Sequence, residues 1–405
     1  MARKMKDSGI EWIEEIPEGW SITRGKHILT LLQRAVFPTD GVITCFRDGE
    51  VTLRSNRRED GFTVSLKEIG YQGIEPGDLV VHGMDGFAGS IGISDSRGKS
   101  SPVLVVLDSS QDKKYLMYYL RSMAYNNVFL ALSTGIRVRS CDLKWNKLAD
   151  LLYLVPPIVE QHKLVSFLDE KCSEIDAMLS KTRASIEEYK KLKQAVITQA
   201  VTTPNCPNVK LKYLMDIIVD CPHETPIYTF TGNYLVIRTS DQSLASLRCD
   251  EYMYRLDEAE YKKRTRRLTL DKDDIVYGRE GSWGLACLVP QSNKYCLGQR
   301  VMQFRCNTRL LYPKYAMYAL NSETVYMQGA LDTIGSTAPH VNISTICNYL
   351  LPVPALTEQK EITNYLDAKC AEIDKLIAKK EQLVKELESY KKSLIYEVVT
   401  GKREV

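Results

Sequence analysis

The sequence predicts an α+β chain built as a tandem duplication: a mixed α/β domain followed by a long helix, twice over, with the two helices paired as an antiparallel coiled coil. Three observations predict it. A 48-residue stretch recurs further along the chain, each copy carries an uninterrupted helical stripe, and ahead of each lie short apolar pieces punctuated by Gly, Pro, Asn and Asp.

Residues 155–202 align with residues 353–400 at a constant offset of 198 without a gap, and 17 of 48 positions are identical. Glu160-Gln161 matches Glu358-Gln359, and Leu168-Asp-x-Lys-Cys-x-Glu-Ile-Asp176 matches Leu366 to Asp374. Weaker similarity runs backwards. Tyr115-x-Met117-Tyr118-x-Leu-x-Ser122 recurs as Tyr315-x-Met317-Tyr318-x-Leu-x-Ser322, and Gly83-x-x-Gly86-x-x-Gly89 recurs as Gly278-x-x-Gly281-x-x-Gly284.

Helix follows from periodicity. Leu164, Leu168, Cys172, Ile175, Leu179, Ile186, Tyr189, Val196 and Ala200 fall on three- and four-residue steps, as do Ile362, Leu366, Cys370, Ile373, Ile377, Val384, Leu387, Leu394 and Val398. Each stripe begins after a proline (Pro157, Pro354); the first stops before Pro204 and the second at Gly401. Thr30 to Asp108 and Lys212 to Asn307 read instead as small strands and turns, followed by helices near residues 113–132 and 312–331. The expected division is residues 1–154 for the first domain, 155–203 for the central helix, 204–351 for the second domain and 352–405 for the C-terminal helix.

Two like helices bury their stripes most simply against one another. The first carries the chain from domain one to domain two and the second returns beside it, so the pair is antiparallel and one polypeptide imitates a two-fold dimer. The end near Val405 should then lie close to domain one.

Composition excludes several classes. Hydrophobic content of 44% and charged content of 26% are ordinary for a globular protein. The best apolar run, near Leu148 to Val159, is broken by Asp150 and Pro156-Pro157, so no membrane span is expected, and the opening residues lack a secretory apolar stretch. A cytoplasmic protein is the expectation. Eleven cysteines without a C-x-x-C pair predict reduced, mostly buried thiols, and five scattered histidines predict no transition-metal site. Net charge is +3, from 54 basic and 51 acidic residues, so any nucleic-acid footprint must be local. There is no G-x-x-x-x-G-K-[ST], no G-x-G-x-x-G after a strand, and no N-P-P-Y or D-P-P-Y.

The opening Ser8-Gly-Ile-Glu-Trp-Ile-Glu-Glu-Ile-Pro-Glu-Gly-Trp20, the Pro-Pro-Ile-Val-Glu-Gln161 and Pro-Ala-Leu-Thr-Glu-Gln359 helix entries, and the closing Leu-Ile-Tyr-Glu-Val-Val-Thr-Gly-Lys402 together resemble the specificity subunit of type I restriction-modification systems. The resemblance runs the length of the chain. One departure is that the first helix ends in Thr-Thr-Pro-Asn where the second ends in Thr-Gly-Lys. It implies a non-catalytic reader of double-stranded DNA with two target-recognition domains, each reading half of a bipartite, asymmetric site. It also implies a complex with two adenine methyltransferase subunits and with restriction/translocase subunits. S-adenosylmethionine, ATP and Mg2+ would then be used by those partners, and no cofactor by this chain. The well-kept helices beside drifted domains fit one scaffold duty performed twice and two heads reading different targets.

Within that reading the basic clusters are the candidates for DNA contact. Arg54, Arg57 and Arg58 stand ahead of the first glycine triplet, and Lys263, Arg264, Arg266 and Arg267 ahead of the second, with Arg279 inside it. Arginine can bind guanine bidentately and lysine supplies phosphate charge; a solvated surface run is the plainer alternative. Just before each long helix lie polar, glycine-containing loops with Arg137, Arg139 and Ser140 in one and Ser336, Thr337, His340 and Asn342 in the other, suited to phosphate contact or to simple connection. The glycine triplets could mark loops whose backbone approaches phosphate closely, but a tight turn between strands is the favoured reading. Tyr115, Met117, Tyr118 and their counterparts read as core. Glu160, Gln161, Glu358 and Gln359 read as helix-start caps shared with a methyltransferase contact, not as acid–base catalysts. Rival readings are an enzyme fused to a coiled coil, which the missing motifs disfavour, and a scaffold without DNA binding, which salt-dependent DNA binding would exclude.

Overall fold

The computed structural model describes residues 3–57, 68–131, 143–202, 206–248, 250–281, 283–332 and 340–405. They form two compact units, one of residues 1–182 with 383–405 and one of residues 183–382. The division passes through both long helices, Ile158–Val201 and Leu356–Val399, so each unit holds part of each. At about 1.5 Å per residue each helix is roughly 66 Å long.

Unit 1 is centred on a four-stranded antiparallel sheet in the order Leu29–Leu31, Leu104–Ser109, Leu79–His82, Ile91–Ile93. Unit 2 has the same order in Met215–Asp220, Val301–Cys306, Ile275–Gly278, Ala286–Leu288, again antiparallel throughout. The central strands are apolar on both faces because each sheet lies between two cores. Leu79 and Val81 face the larger core while Val80 faces a smaller one, and Ile275 and Tyr277 oppose Val276 in the same manner. A two-stranded ribbon leads into each long helix, Ser21–Arg24 with Leu152–Val155 and Asn208–Lys210 with Leu350–Pro352. The outlying strands differ. Unit 1 adds the pairs Ile43–Cys45/Val51–Leu53 and Gln72–Ile74/Gly98–Ser100, whereas unit 2 adds a three-stranded sheet in which Tyr234–Ile237 and Tyr295–Leu297 run parallel.

The helix expected near residues 113–132 is two, Lys113–Tyr125 and Val128–Ala131, broken where Asn127 takes a positive φ of 58°. Its counterpart is Pro313–Leu320 and Glu323–Ala330, the second restarted by the Ser322 side chain accepting from the Val325 amide. Tyr115, Met117, Tyr118, Tyr315, Met317 and Tyr318 are all core.

Within each unit the two long helices run antiparallel. In unit 1 Asp176 meets Lys391 and Phe167 lies under Arg403; in unit 2 Lys193 meets Asp374 and Tyr189 lies near Lys380. The ion pairs are swapped copies of one another, because Asp374 and Lys391 stand 198 positions after Asp176 and Lys193. That exchange is what the sequence duplication predicts for an antiparallel helix pair within each unit. The chain's far end closes unit 1 as expected. The Tyr396 hydroxyl donates to the Trp12 carbonyl at 3.0 Å, and Gly401, at φ 73°, packs so tightly on Pro17 that a Cβ would sit 2.4 Å from it.

Candidate nucleic-acid interface

The glycine triplets form tight turns. Gly89 and Gly284 have φ of 96° and 91°, and a Cβ on either would meet the ring of Tyr125 at 3.3 Å or of Tyr326 at 2.6 Å. Each turn is tied to the chain just ahead of a long helix: the Leu143 amide donates to the Gly83 carbonyl at 2.9 Å, and the Val341 amide to the Arg279 carbonyl at 3.2 Å. The fold therefore brings the triplet and the base of the pre-helix loop together in both units. Arg58, Arg137, Arg139, Ser140, Ser336 and Thr337 lie outside the described residues.

In unit 1, Arg54 is half-buried with Nε donating to Thr44 Oγ1 at 3.3 Å. Arg57 is exposed, bridges Asp48 at 2.6 Å and Glu50 at 3.0 Å, and stacks its guanidinium 4.2 Å over Phe46.

The unit 2 cluster divides sharply. Arg264 is a correction: its side chain is 2% exposed and donates to the carbonyls of Leu297, Glu224, Pro222 and Gly298 at 3.0, 3.0, 3.4 and 3.2 Å, with Glu260 at 4.0 Å as countercharge. A guanidinium so engaged ties two loops together, with four of its five donors spent on backbone carbonyls, and at this depth it cannot reach a base. Arg279 is corrected likewise, since it is buried between Asp220 at 3.4 Å and Glu280 at 2.7 Å. Lys263 is exposed and pairs with Glu224, whose carboxyl it holds below the usual range. Arg266 and Arg267 are exposed. His340 is half-buried and bridges Glu280 through the backbone, and Asn342 precedes the short helix Ile343–Cys347.

The helix-start residues also divide. Gln161 is fully buried: its Oε1 accepts from the Asp112 amide at 3.0 Å and its Nε2 donates to the carbonyl of Pro156 at 2.8 Å. Gln359 repeats this with the Tyr312 amide at 2.7 Å and the Pro354 carbonyl at 2.8 Å. Both glutamines lock a loop to a helix entry and offer no surface to a partner. Glu160 takes Arg3 at 2.5 Å and the Trp20 indole at 3.0 Å, while Glu358 is half-buried.

Sequence reasoning missed an aromatic–arginine surface on unit 2. Tyr228 and Tyr254 stack at 4.4 Å with Arg238 4.0 Å above Tyr254, Arg248 lies over Tyr252, and Phe230 is 101% exposed. Unit 1 has Arg97 over the exposed Phe37 in addition to Arg57 over Phe46. Rings with guanidinium faces suit bases and thymine methyls. The signal was present in Tyr228-x-Phe230 and Tyr252-x-Tyr254, aromatic pairs in stretches too polar for core.

Among the described residues no group of three His, Cys, Asp or Glu side chains is placed to hold a metal, and no helix is long and apolar enough to cross a membrane. Cys45, Cys287, Cys296 and Cys306 are buried free thiols, and burial pushes each up to about 12.

Residues 220–386 match the family model of the type I restriction modification DNA specificity domain. Among curated proteins the chain is similar to the type I restriction enzyme EcoBI specificity subunit of Escherichia coli, 26% identical over 130 residues. That match covers 32% of this chain and 27% of the relative, about a quarter of the relative's length. A solved chain, described under complex assembly and conformational transition of the type I R-M system, superposes with TM-score 0.71 and 15% identity over 96% of this chain and 99% of its own. The HsdS subunit from Thermoanaerobacter tengcongensis superposes with TM-score 0.50 and 16% identity over 98% and 100%. At such identities a shared fold is what superposition establishes. Residues 220–386 thus match the type I restriction modification DNA specificity domain, and the chain as a whole is similar in fold to a solved chain described for the type I R-M system and to an HsdS subunit.

Proposed function

We propose that this chain is the non-catalytic DNA-reading subunit of a type I restriction-modification complex. Each unit reads one half of a bipartite, asymmetric site, and the helix pair fixes the unread gap and docks two adenine methyltransferase subunits. Those subunits use S-adenosylmethionine, and ATP-driven, Mg2+-dependent restriction/translocase subunits complete the assembly in the cytoplasm. The observation that carries this reading is the duplication itself: one four-stranded sheet order occurs twice, joined to helices whose Asp–Lys pairs are exchanged copies. A repeated frame presenting two unlike surfaces is what a reader of two unlike half-sites requires.

Methylation mapping of DNA from cells expressing the complex tests it. One bipartite motif should appear. Inserting a heptad after both Leu179 and Ile377 should widen its gap and leave both halves unaltered, because it adds about 10 Å of helix, the axial length of about three base pairs. Exchanging residues 212–350 for the equivalent domain of another such subunit should change one half alone. A gap unchanged by the insertion would overturn the spacer, and loss of all sequence dependence would overturn the reader.

A further inference from the structure

The repeat supplies an internal control for which surface residues matter. Most identities between the two copies have a duty inside the fold: the core stripe, the buried glutamines, the exchanged Asp–Lys pairs, and Asp169 and Asp367, which take the hydroxyls of Tyr118 at 2.8 Å and Tyr318 at 2.9 Å. Lys171, Glu174 and Lys181, repeated as Lys369, Glu372 and Lys379, have none that is visible. All six contribute charge to the helix surface. Lys171 meets Glu174 at 2.9 Å and Glu170 at 3.4 Å on its own helix, and Lys369 meets Glu372 at 3.1 Å, contacts too exposed to add measurably to stability.

Exposure does not by itself preserve charge in this repeat. At other exposed positions the sign has reversed, with Lys163 against Glu361, Arg183 against Glu381 and Glu187 against Lys385. These three, kept along with Glu188 (Glu386 in the second copy) a heptad further on, share one stripe, because Glu174 and Lys181 are a heptad apart and Lys171 lies one turn before Glu174. A feature kept twice, facing outward and idle in the fold, answers to something outside the chain that is itself present twice.

We infer that Lys171–Glu174–Lys181 and Lys369–Glu372–Lys379 are two copies of one docking stripe, each received by the same protein partner through a surface of opposite charge order. The alternation of sign selects a folded protein over DNA, since a carboxylate between two lysines repels phosphate. This rests on the reading above, in which the partner is the methyltransferase subunit.

The test uses the full chain co-expressed with the adenine methyltransferase subunit of its own system. Lys171→Glu with Glu174→Lys keeps the intrahelical pair, in its more favourable orientation, while inverting the face it shows. Unit 1 should then hold its methyltransferase at least about tenfold more weakly, the size of change that reversing interfacial charges produces, leaving a complex with one copy. Adding Lys369→Glu with Glu372→Lys should remove the second copy, with the thermal melt of the chain alone unchanged. Two-copy assembly by the quadruple variant would overturn the stripe and leave the reading standing, and a shifted melt would overturn it by showing a structural role. A natural chain that binds no methyltransferase would overturn both.

Discussion

Gln161 and Gln359 stand at equivalent places, are equally buried and make the same bonds to a helix entry and a preceding loop. Arg57 and Arg266 also stand at comparable places, yet one is held between two carboxylates over a phenylalanine ring and the other is exposed beside the buried Arg264. The contrast teaches where this molecule tolerates change. Groups that join loop to long helix are fixed in type and geometry, whereas groups on the outer surface of each domain have diverged in partner. A frame that must be built twice constrains the first kind, and two different targets release the second.

The largest expected effect sharpens the contrast within one cluster. Arg264→Ala removes four hydrogen bonds to backbone carbonyls and strands the buried Glu260, so it should destabilise unit 2 by about 3 to 5 kcal/mol. Arg266→Ala and Arg267→Ala should leave stability within about 0.5 kcal/mol. If either reaches phosphate, the slope of log affinity against log salt should flatten by about one unit, while a base contact should relax one position of the methylated motif. Chemical denaturation set beside DNA binding at varied salt separates the three; an Arg264→Ala chain of normal stability would sink the loop-tie assignment.

Next in size come the glutamines. Either Gln→Ala change leaves a buried amide and a buried carbonyl without partners, at roughly 1 to 3 kcal/mol apiece. Gln161→Ala should therefore weaken unit 1 and Gln359→Ala unit 2 by about 2 to 6 kcal/mol, read as lost amide hydrogen-exchange protection confined to that unit. Equal loss in both units from one substitution would show that the two do not open independently.

The exchanged ion pairs should differ where the glutamines agree. Lys193 is 9% exposed and Lys391 24%, so the unit 2 pair lies in the less screened place. Double-mutant cycles should give about 1 kcal/mol for Lys193–Asp374 and less for Lys391–Asp176. The reverse order would mean that burial of the lysine does not set the coupling.

Much of the frame was legible because its signals are local or repeated. The long helices, their antiparallel sense and the core role of Tyr115 and Tyr315 all followed from spacing and chain tracing. The surface was less legible. Arg264 and Arg266 are neighbours of identical local character, and only the helix Glu258–Arg264, which turns the former inward under residues 297–298, distinguishes them. Gln161 read as a partner contact because a polar residue at a helix start is ordinarily exposed, and its burial depends on the distant Asp112 amide. The Tyr228–Tyr254 stack joins segments 26 positions apart that no periodicity links.

The smallest expected effect concerns the glycine turns, where the units share the spacing of the glycines and differ in the side chain just ahead of the first. His82, just before Gly83, uses Nδ1 to accept from the amides of Asp85 at 3.0 Å and Met84 at 3.2 Å, which requires a neutral ring. Burial holds its proton affinity below that of a free histidine, with Asp85 opposing and Arg47 assisting. The unfolded chain therefore takes up the proton first. Stability from the neutral ring is complete above the unfolded value of about 6.5 and is lost as pH falls through it toward the lower folded value. The residue before Gly278 is Tyr277, whose burial pushes its hydroxyl far above neutrality, so that turn has no equivalent switch. Hydrogen exchange at residues 83–90 should accelerate between pH 7.5 and pH 5.5, after correction for the intrinsic rate, more than at residues 278–285. In His82→Asn, whose amide oxygen can accept from the turn without titrating, the difference should disappear; its persistence would place the acid sensitivity elsewhere in unit 1.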